Sequence, residues 1–363
     1  MFRFFFMVTL LVLPIGGLDH ATSTADAPSE RKDRRIDDTA LLTIGDDPDE
    51  ALHEVIGAVL MDDVLILAEK STSSLRYHDR ATGQLLHTVG GEGEGPGEYV
   101  SLDLVEAIGD KLYTFDNRLW RVTVRDRSGA LERTVPIRPW GNHSAADVKG
   151  FFPDGSILVS AWAFGWAEAP MIRRFNIELG RHDPAGTLAE SLGTHLGSEH
   201  YASPETMSIY PYRREVWVVV VGDRYHVVDN TDPVIRAFDA TGNPVNELDP
   251  YQPLEPRTLT SGGRDSVPDL DGIDPDDLPR FYPYYGRPRA VGGALWVPDY
   301  DGLAPGGGSG WTVYSPDGGL VGRVAASELD IIVLAADDDN VAVLTRDAFD
   351  VQTVELRRLT ERP

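Results

Sequence analysis

Four times along this chain, a run of branched and aromatic residues enters a turn that carries Asp or Ser followed by Gly, and a second such run leaves it. The turns are Asp79 to Gly83, Asp126 to Gly129, Asp239 to Gly242 and Ser315 to Gly318, reached through segments such as Leu75-Arg76-Tyr77-His78 and Ile235-Arg236-Ala237-Phe238. This pattern dictates antiparallel hairpins, because glycine takes the positive φ that the turn needs without a steric penalty. Gly83 and Gly129 stand 46 positions apart, about the length of one four-stranded propeller blade. Strand-like runs such as Val64-Leu65-Ile66-Leu67, Val216-Trp217-Val218-Val219 and Val341-Ala342-Val343-Leu344 recur between turn signals, and no long stretch has helical period. The expected fold is all-β: a six-bladed β-propeller of four-stranded antiparallel blades.

The units fall near 55–89, 104–137, 148–192, 208–248, 289–324 and 331–359, the third being the least regular. Thr39-Ala40-Leu41-Leu42-Thr43-Ile44 has no hairpin partner nearby, so it is expected to supply the outer strand of the last blade and close the ring, removing an exposed edge. Between Asp249 and Arg287 the chain is rich in proline, glycine and aspartate, which reads as one long insertion between two blades. The propeller thus spans 36–363, with a long insertion near 249–287.

The start of the chain reads as an export signal over residues 1–27. Arg3 precedes the apolar run Phe4 to Leu13, and Ala25-Asp26-Ala27 offers a small-x-small cleavage site. That run is too short for a membrane anchor, which needs roughly 20 apolar residues. Residues 28–35 are charged and read as a flexible lead. The expected location is periplasmic or extracellular, with no membrane span once the signal is removed.

The chain has no cysteine, which excludes disulfides, thiol nucleophiles and thiolate metal sites. Its formal charge is −25, a field that disfavours nucleic acid and anionic lipid. Only four of its 33 basic residues are lysines.

One loop has a composition of its own. Gly90-Gly91-Glu92-Gly93-Glu94-Gly95-Pro96-Gly97-Glu98-Tyr99 places five glycines and a proline in ten residues. No register fits the dinucleotide fingerprint, no Gly-Lys-Ser/Thr follows, and three carboxylates would repel a phosphate. With Leu112-Tyr113-Thr114-Phe115-Asp116 and Arg121-Val122-Thr123-Val124 after it, this segment resembles the exported bacterial six-bladed β-propellers related to NHL-repeat proteins, in which a G-x-x-G-E-G-P-G-E-[FY] loop links the first two blades. Leu278-Pro279-Arg280-Phe281-Tyr282-Pro283, followed by Gly293-Ala294-Leu295-Trp296-Val297, is similar to a second signature of that family. The resemblance implies a fold and an exported location and assigns no activity.

Candidate sites follow from chemistry rather than from a catalytic motif, since neither Gly-x-Ser-x-Gly nor His-Glu-x-x-His occurs. Inter-blade loops of propellers surround the central channel. Glu92, Glu94 and Glu98, with Asp116 and Arg118 one strand later, are therefore expected to form a ligand-binding rim; the alternative is that the glutamates satisfy backbone donors of a tight loop. Asp269, Asp271 and Asp274 offer hard oxygen ligands around Gly272 and suggest calcium, although the position that closes a calcium loop is Arg280 instead of glutamate. A solvated loop is the alternative there. His195 and His200, five apart, suit a surface loop. Trp162 and Trp166, and Tyr282, Tyr284 and Tyr285, are aromatic groups suited to lining a sugar site, against inter-blade packing as the alternative.

Two functions remain open from the sequence. One is a binding module for a protein, small-molecule or carbohydrate ligand, with no catalytic activity evident. The other is a divalent-cation-dependent enzyme of the lactonase or lyase kind, with a carboxylate-lined channel whose ligands come from distant repeats. A structural component of a surface assembly is a third option.

Overall fold

The hairpin turns fold as their residues dictate. In the computed structural model, which describes residues 31–362 apart from 164, 166, 269, 301–308 and 328–330, Gly83, Gly129, Gly242 and Gly318 all have φ between 76° and 88°. Each aspartate turn closes on its own backbone. Asp79 Oδ1 accepts from the Thr82 amide at 2.8 Å, Asp126 Oδ1 from Ser128 and Ala130, and Asp239 Oδ1 from Thr241 and Asn243. The export signal of residues 1–27 lies outside the described residues, among which no helix is long and apolar enough to cross a membrane.

The architecture is an all-β propeller of antiparallel sheets. Three sheets have four strands, spanning Val55–Gly90, Leu102–Pro136 and Val216–Leu248, and a fourth covers Ala145–Ser208. The fourth is the irregular unit of the sequence. Its outer strands Met171–His182 and Leu188–Ala202 are 12 and 15 residues long, and the short strand Met207–Ser208 adds a fifth member. His195 and His200 sit within Leu188–Ala202 and not on a surface loop, because Ile177 and Arg173 of the neighbouring strand pair with them.

The remaining sheet has eight strands and consists of two antiparallel halves. One runs from Arg289 to Ala325, and the other from Ile332 to Glu361 with the N-terminal strand Arg34–Ile44 on its outer edge. That strand pairs antiparallel with Gln352–Glu361, as the Thr39–Ile44 segment suggested. It starts at Arg34, two residues before the expected Ile36, so the charged lead is partly ordered into the sheet. Its first two residues also pair in parallel with Val324 and Ala325, which stitches the two halves together.

The first strands of the units, Val55–Leu60, Leu102–Ile108, Ala145–Phe151, Val216–Val221, Arg289–Val291 and Ile332–Ala336, each neighbour the next, and the last neighbours the first. They ring a central cavity. Two inner-strand glycines allow the close approach: a Cβ on Gly57 would meet Val105 Cγ1 at 2.9 Å, and one on Gly150 would meet Val220 Cβ at 2.9 Å. The core lies between sheets, in apolar clusters such as Leu65, Leu67, Ala342 and Leu344, or Phe115, Val122, Val148 and Val159. Between Leu248 and Arg289 the described residues form no strand, only a one-turn helix, Ser261–Asp265, and a 3-10 turn, Pro275–Asp277.

Candidate functional site

The glycine-proline loop is braced from within. Arg125, almost fully buried, donates to Gly97 O at 2.6 Å, to Gly129 O at 2.8 Å and to the Tyr99 hydroxyl at 3.3 Å. Tyr99 is buried and shares a 2.9 Å hydrogen bond with Thr114 Oγ1. Glu98 Oε2 accepts from the Gly95 amide at 2.8 Å, and Arg121 donates to the carbonyls of Glu94 and Glu98. Gly93 and Gly95 leave room for the Glu98 carboxylate in this position, since a Cβ at either would displace it.

This geometry departs from the expected rim. Asp116 is fully buried; its Oδ2 accepts from the Val100 and Ser101 amides at 2.6 and 2.9 Å, and its Oδ1 from Arg118 and Leu119 at 2.9 and 2.8 Å. All of its acceptor capacity toward the backbone goes into anchoring the turn. Glu92, Glu94, Glu98 and Arg118 are exposed, but none of the five residues is among those that line the central cavity. The loop runs from the outermost strand of the first sheet, Leu85–Gly90, to the innermost strand of the second, Leu102–Ile108.

Of the three aspartates expected to bind calcium, two are described. Asp269 lies outside the described residues. The Asp274 side chain accepts from the Asp276 amide as the cap of the 3-10 turn, and Asp271 offers its backbone carbonyl to the Tyr201 hydroxyl at 3.1 Å. No group of three or more His, Cys, Asp or Glu side chains among the described residues could hold a metal ion. Of the aromatic groups, Trp166 lies outside the described residues, and Trp162 ends the strand Ile157–Trp162. Tyr285 is buried and donates to Pro233 O, whereas Tyr282 packs edge-on against Tyr212 at 5.3 Å.

The central cavity, of about 670 Å³, has the features of a site. Every inner strand contributes to its wall. Two of its charged residues are placed there by local irregularity. Strand pairing skips Asp103, between Leu102 and Leu104, and Lys149, between Val148 and Gly150. Such an unpaired extra residue re-aims its side chain. Lys70 follows the second strand of its unit, Arg346 ends the second strand of the last, and Arg287 and Arg289 lead into Arg289–Val291. With Asp103, Glu106 and Asp147, these make five basic and three acidic side chains on the wall.

Their pairing is incomplete. Lys149 Nζ meets Asp147 Oδ2 at 2.6 Å, and Arg346 meets Asp350 at 3.0 Å. Arg289 donates to Ile56 O at 3.3 Å, but its Nε is buried with no partner among the described residues. Burial first, and then the neighbouring Arg287, lower the Arg289 pKa to about 10. Arg287, itself exposed, thus adds a second positive charge near the desolvated Arg289, an arrangement relieved by an anion. Asp103 is pushed above the usual carboxylate range by burial and by Asp147, against the opposing pull of Arg287, Lys70 and Lys149. Strand register sets these five groups toward one mouth of the cavity. Lys70 follows Glu69, the partner of Val55 at the start of its inner strand, Asp103, Asp147 and Lys149 lie in the first half or middle of theirs, and Arg287 precedes Arg289–Val291. No sequence motif marks the cluster, because its members come from four different units.

No family model and no curated protein sequence matches the chain. Solved structures are similar in fold. A member of the DUF4221 family from Bacteroides vulgatus aligns at a TM-score of 0.53 and 11% identity over 92% of this chain and 99% of that one. A Bacteroides fragilis protein whose name proposes export aligns at 0.51 and 12% identity over 92% and 100%. At such identities the likeness concerns the fold alone.

Proposed function

We propose that the chain is an exported six-bladed propeller that acts as a binding module for a small anionic ligand, held at the mouth of its central cavity. Six blades are supported by counting the two antiparallel halves of the eight-stranded sheet separately. Export is supported by Arg3, the apolar run Phe4 to Leu13 and the Ala25-Asp26-Ala27 site. One observation carries the ligand reading: a chain of formal charge −25 lines its central cavity with more basic than acidic groups. Clefts with low-dielectric walls focus such a field and concentrate ions of the opposite sign. Arg287 and Arg289 are assigned the anion, with Lys70 as the third donor.

The metal-dependent enzyme is not favoured by the donor set. Asp103 and Asp147 stand among lysines and arginines, and Glu106 stands apart from both.

The test is thermal unfolding of the mature protein with citrate, succinate or phosphate at constant ionic strength, beside calcium chloride. At a hundredfold excess over Kd, a bound anion is expected to raise Tm by roughly 5 °C. The double variant R287A/R289A is expected to lose that shift. A calcium shift with no response to any anion would overturn the reading.

A further inference from the structure

Below its charged mouth the cavity wall is apolar, formed by Val59, Val148, Val219, Val220 and Leu334, with Glu106 as the exception. Glu106 lies three residues beyond Asp103 on the inner strand Leu102–Ile108. At about 3.3 Å per residue, it stands roughly 10 Å from the mouth. Its Oε2 accepts from the Phe151 amide at 3.2 Å. Its Oε1 has no hydrogen-bond partner among the described residues and lies beside Gly150, where a Cβ would come within 3.4 Å of it. Glycine at 150 leaves room for the carboxyl group.

A lone carboxylate on an apolar wall is costly unless something compensates it. Glu106 retains some contact with cavity water, yet protein surrounds it, and burial raises its pKa to about 8. Only the Phe151 amide opposes that shift. The other charged groups on the wall are Lys70, Asp103, Asp147, Lys149, Arg287, Arg289 and Arg346, and none contributes to it. The cavity therefore has two separate polar poles joined by an apolar wall.

Building on the anion-binding reading of the mouth, we propose that Glu106 is the second pole of the same site, and that the site takes a linear amphoteric small molecule. Its acid group meets Arg287, Arg289 and Lys70, an apolar chain lies along the valines, and a primary ammonium about 10 Å away meets Glu106 Oε1. In the free protein at pH 7, Glu106 is mostly protonated. The arriving ammonium favours the carboxylate, so Glu106 gives its proton to solvent while the ligand keeps its own charge. Up to one proton is released per ligand bound.

The test is calorimetric titration at pH 7 with 8-aminooctanoate, octanoate and suberate, each in two buffers of different ionisation enthalpy. We expect 8-aminooctanoate to bind at least tenfold tighter than octanoate, with release of a proton that octanoate does not show. Suberate, which sets a second carboxylate against Glu106, should bind weakest. The variant E106Q should abolish both the tenfold advantage and the proton release while leaving octanoate unchanged. Equal binding of 8-aminooctanoate and octanoate by the unsubstituted protein overturns the proposal, whatever the variant does. Absence of binding by every one of the three overturns the mouth reading itself, and the proposal with it. Octanoate binding without an amine advantage leaves the mouth reading standing and removes only the second pole.

Discussion

At position 116 a buried carboxylate is held by four backbone N–H groups, and at position 125 a buried guanidinium spans two carbonyls and a tyrosine hydroxyl. Removing either side chain leaves these polar groups without their partner. D116A and R125A are each expected to lower unfolding free energy by about 3 kcal/mol, measured by urea denaturation, because hydrogen bonds to charged groups exceed neutral ones and the partners are left unsatisfied. Ligand binding in the cavity should be unaffected in whatever fraction folds. Glu106 behaves oppositely. Its folded pKa, about 8, lies above its unfolded value, so the stability associated with its neutral form is complete below about pH 4 and is lost as pH rises toward 8. E106Q should therefore be more stable than the unsubstituted protein at pH 8.5 and nearly equal to it at pH 4, as read from urea midpoints across that range.

At the level of the single element, the recurring unit is a hairpin whose aspartate closes the turn. Hydrogen bonds from the Thr241 hydroxyl, then from Asn243, lower the Asp239 pKa to about 2, and the carboxylates of Asp79, Asp126 and Asp154 are likewise lowered by their turn partners. A depressed carboxylate contributes stability above its unfolded pKa and loses it as pH falls through the folded one. The protein should therefore lose stability between about pH 4 and pH 2, and D239N should flatten part of that slope in urea titrations. This device was legible in the sequence, because Asp and Gly at fixed offsets have a local physical meaning. The inner-strand irregularities at Asp103 and Lys149 were not, since an extra residue in one strand is defined only against its neighbour.

Across the whole molecule, the N-terminal strand ties the two halves of the eight-stranded sheet. Its antiparallel pairing covers the edge of Gln352–Glu361, and its parallel start reaches Val324 and Ala325. Deleting residues 31–44 should expose that edge and leave a chain that aggregates. Added as a synthetic peptide during refolding, the same segment is expected to restore a monomeric species in size-exclusion chromatography. An equally soluble and stable truncated protein would show that the ring closes without it.

The sequence by itself determined the strands, the hairpins and their aspartate-glycine turns, and the N-terminal segment that seeks a distant partner, because period, turn chemistry and glycine conformation act over a few residues. It also marked the glycine-proline loop, where the Glu98 and Asp116 carboxylates hold backbone amides and where Glu92, Glu94, Glu98, Asp116 and Arg118 are not among the residues of the cavity wall. Only the tertiary structure decided where charge collects. Lys70, Asp103, the pair Asp147 and Lys149, and Arg287 come from four separate segments of the chain and carry no common motif. Closing the sheets into a ring brings their strands to one axis, and low dielectric there turns scattered side chains into a single field.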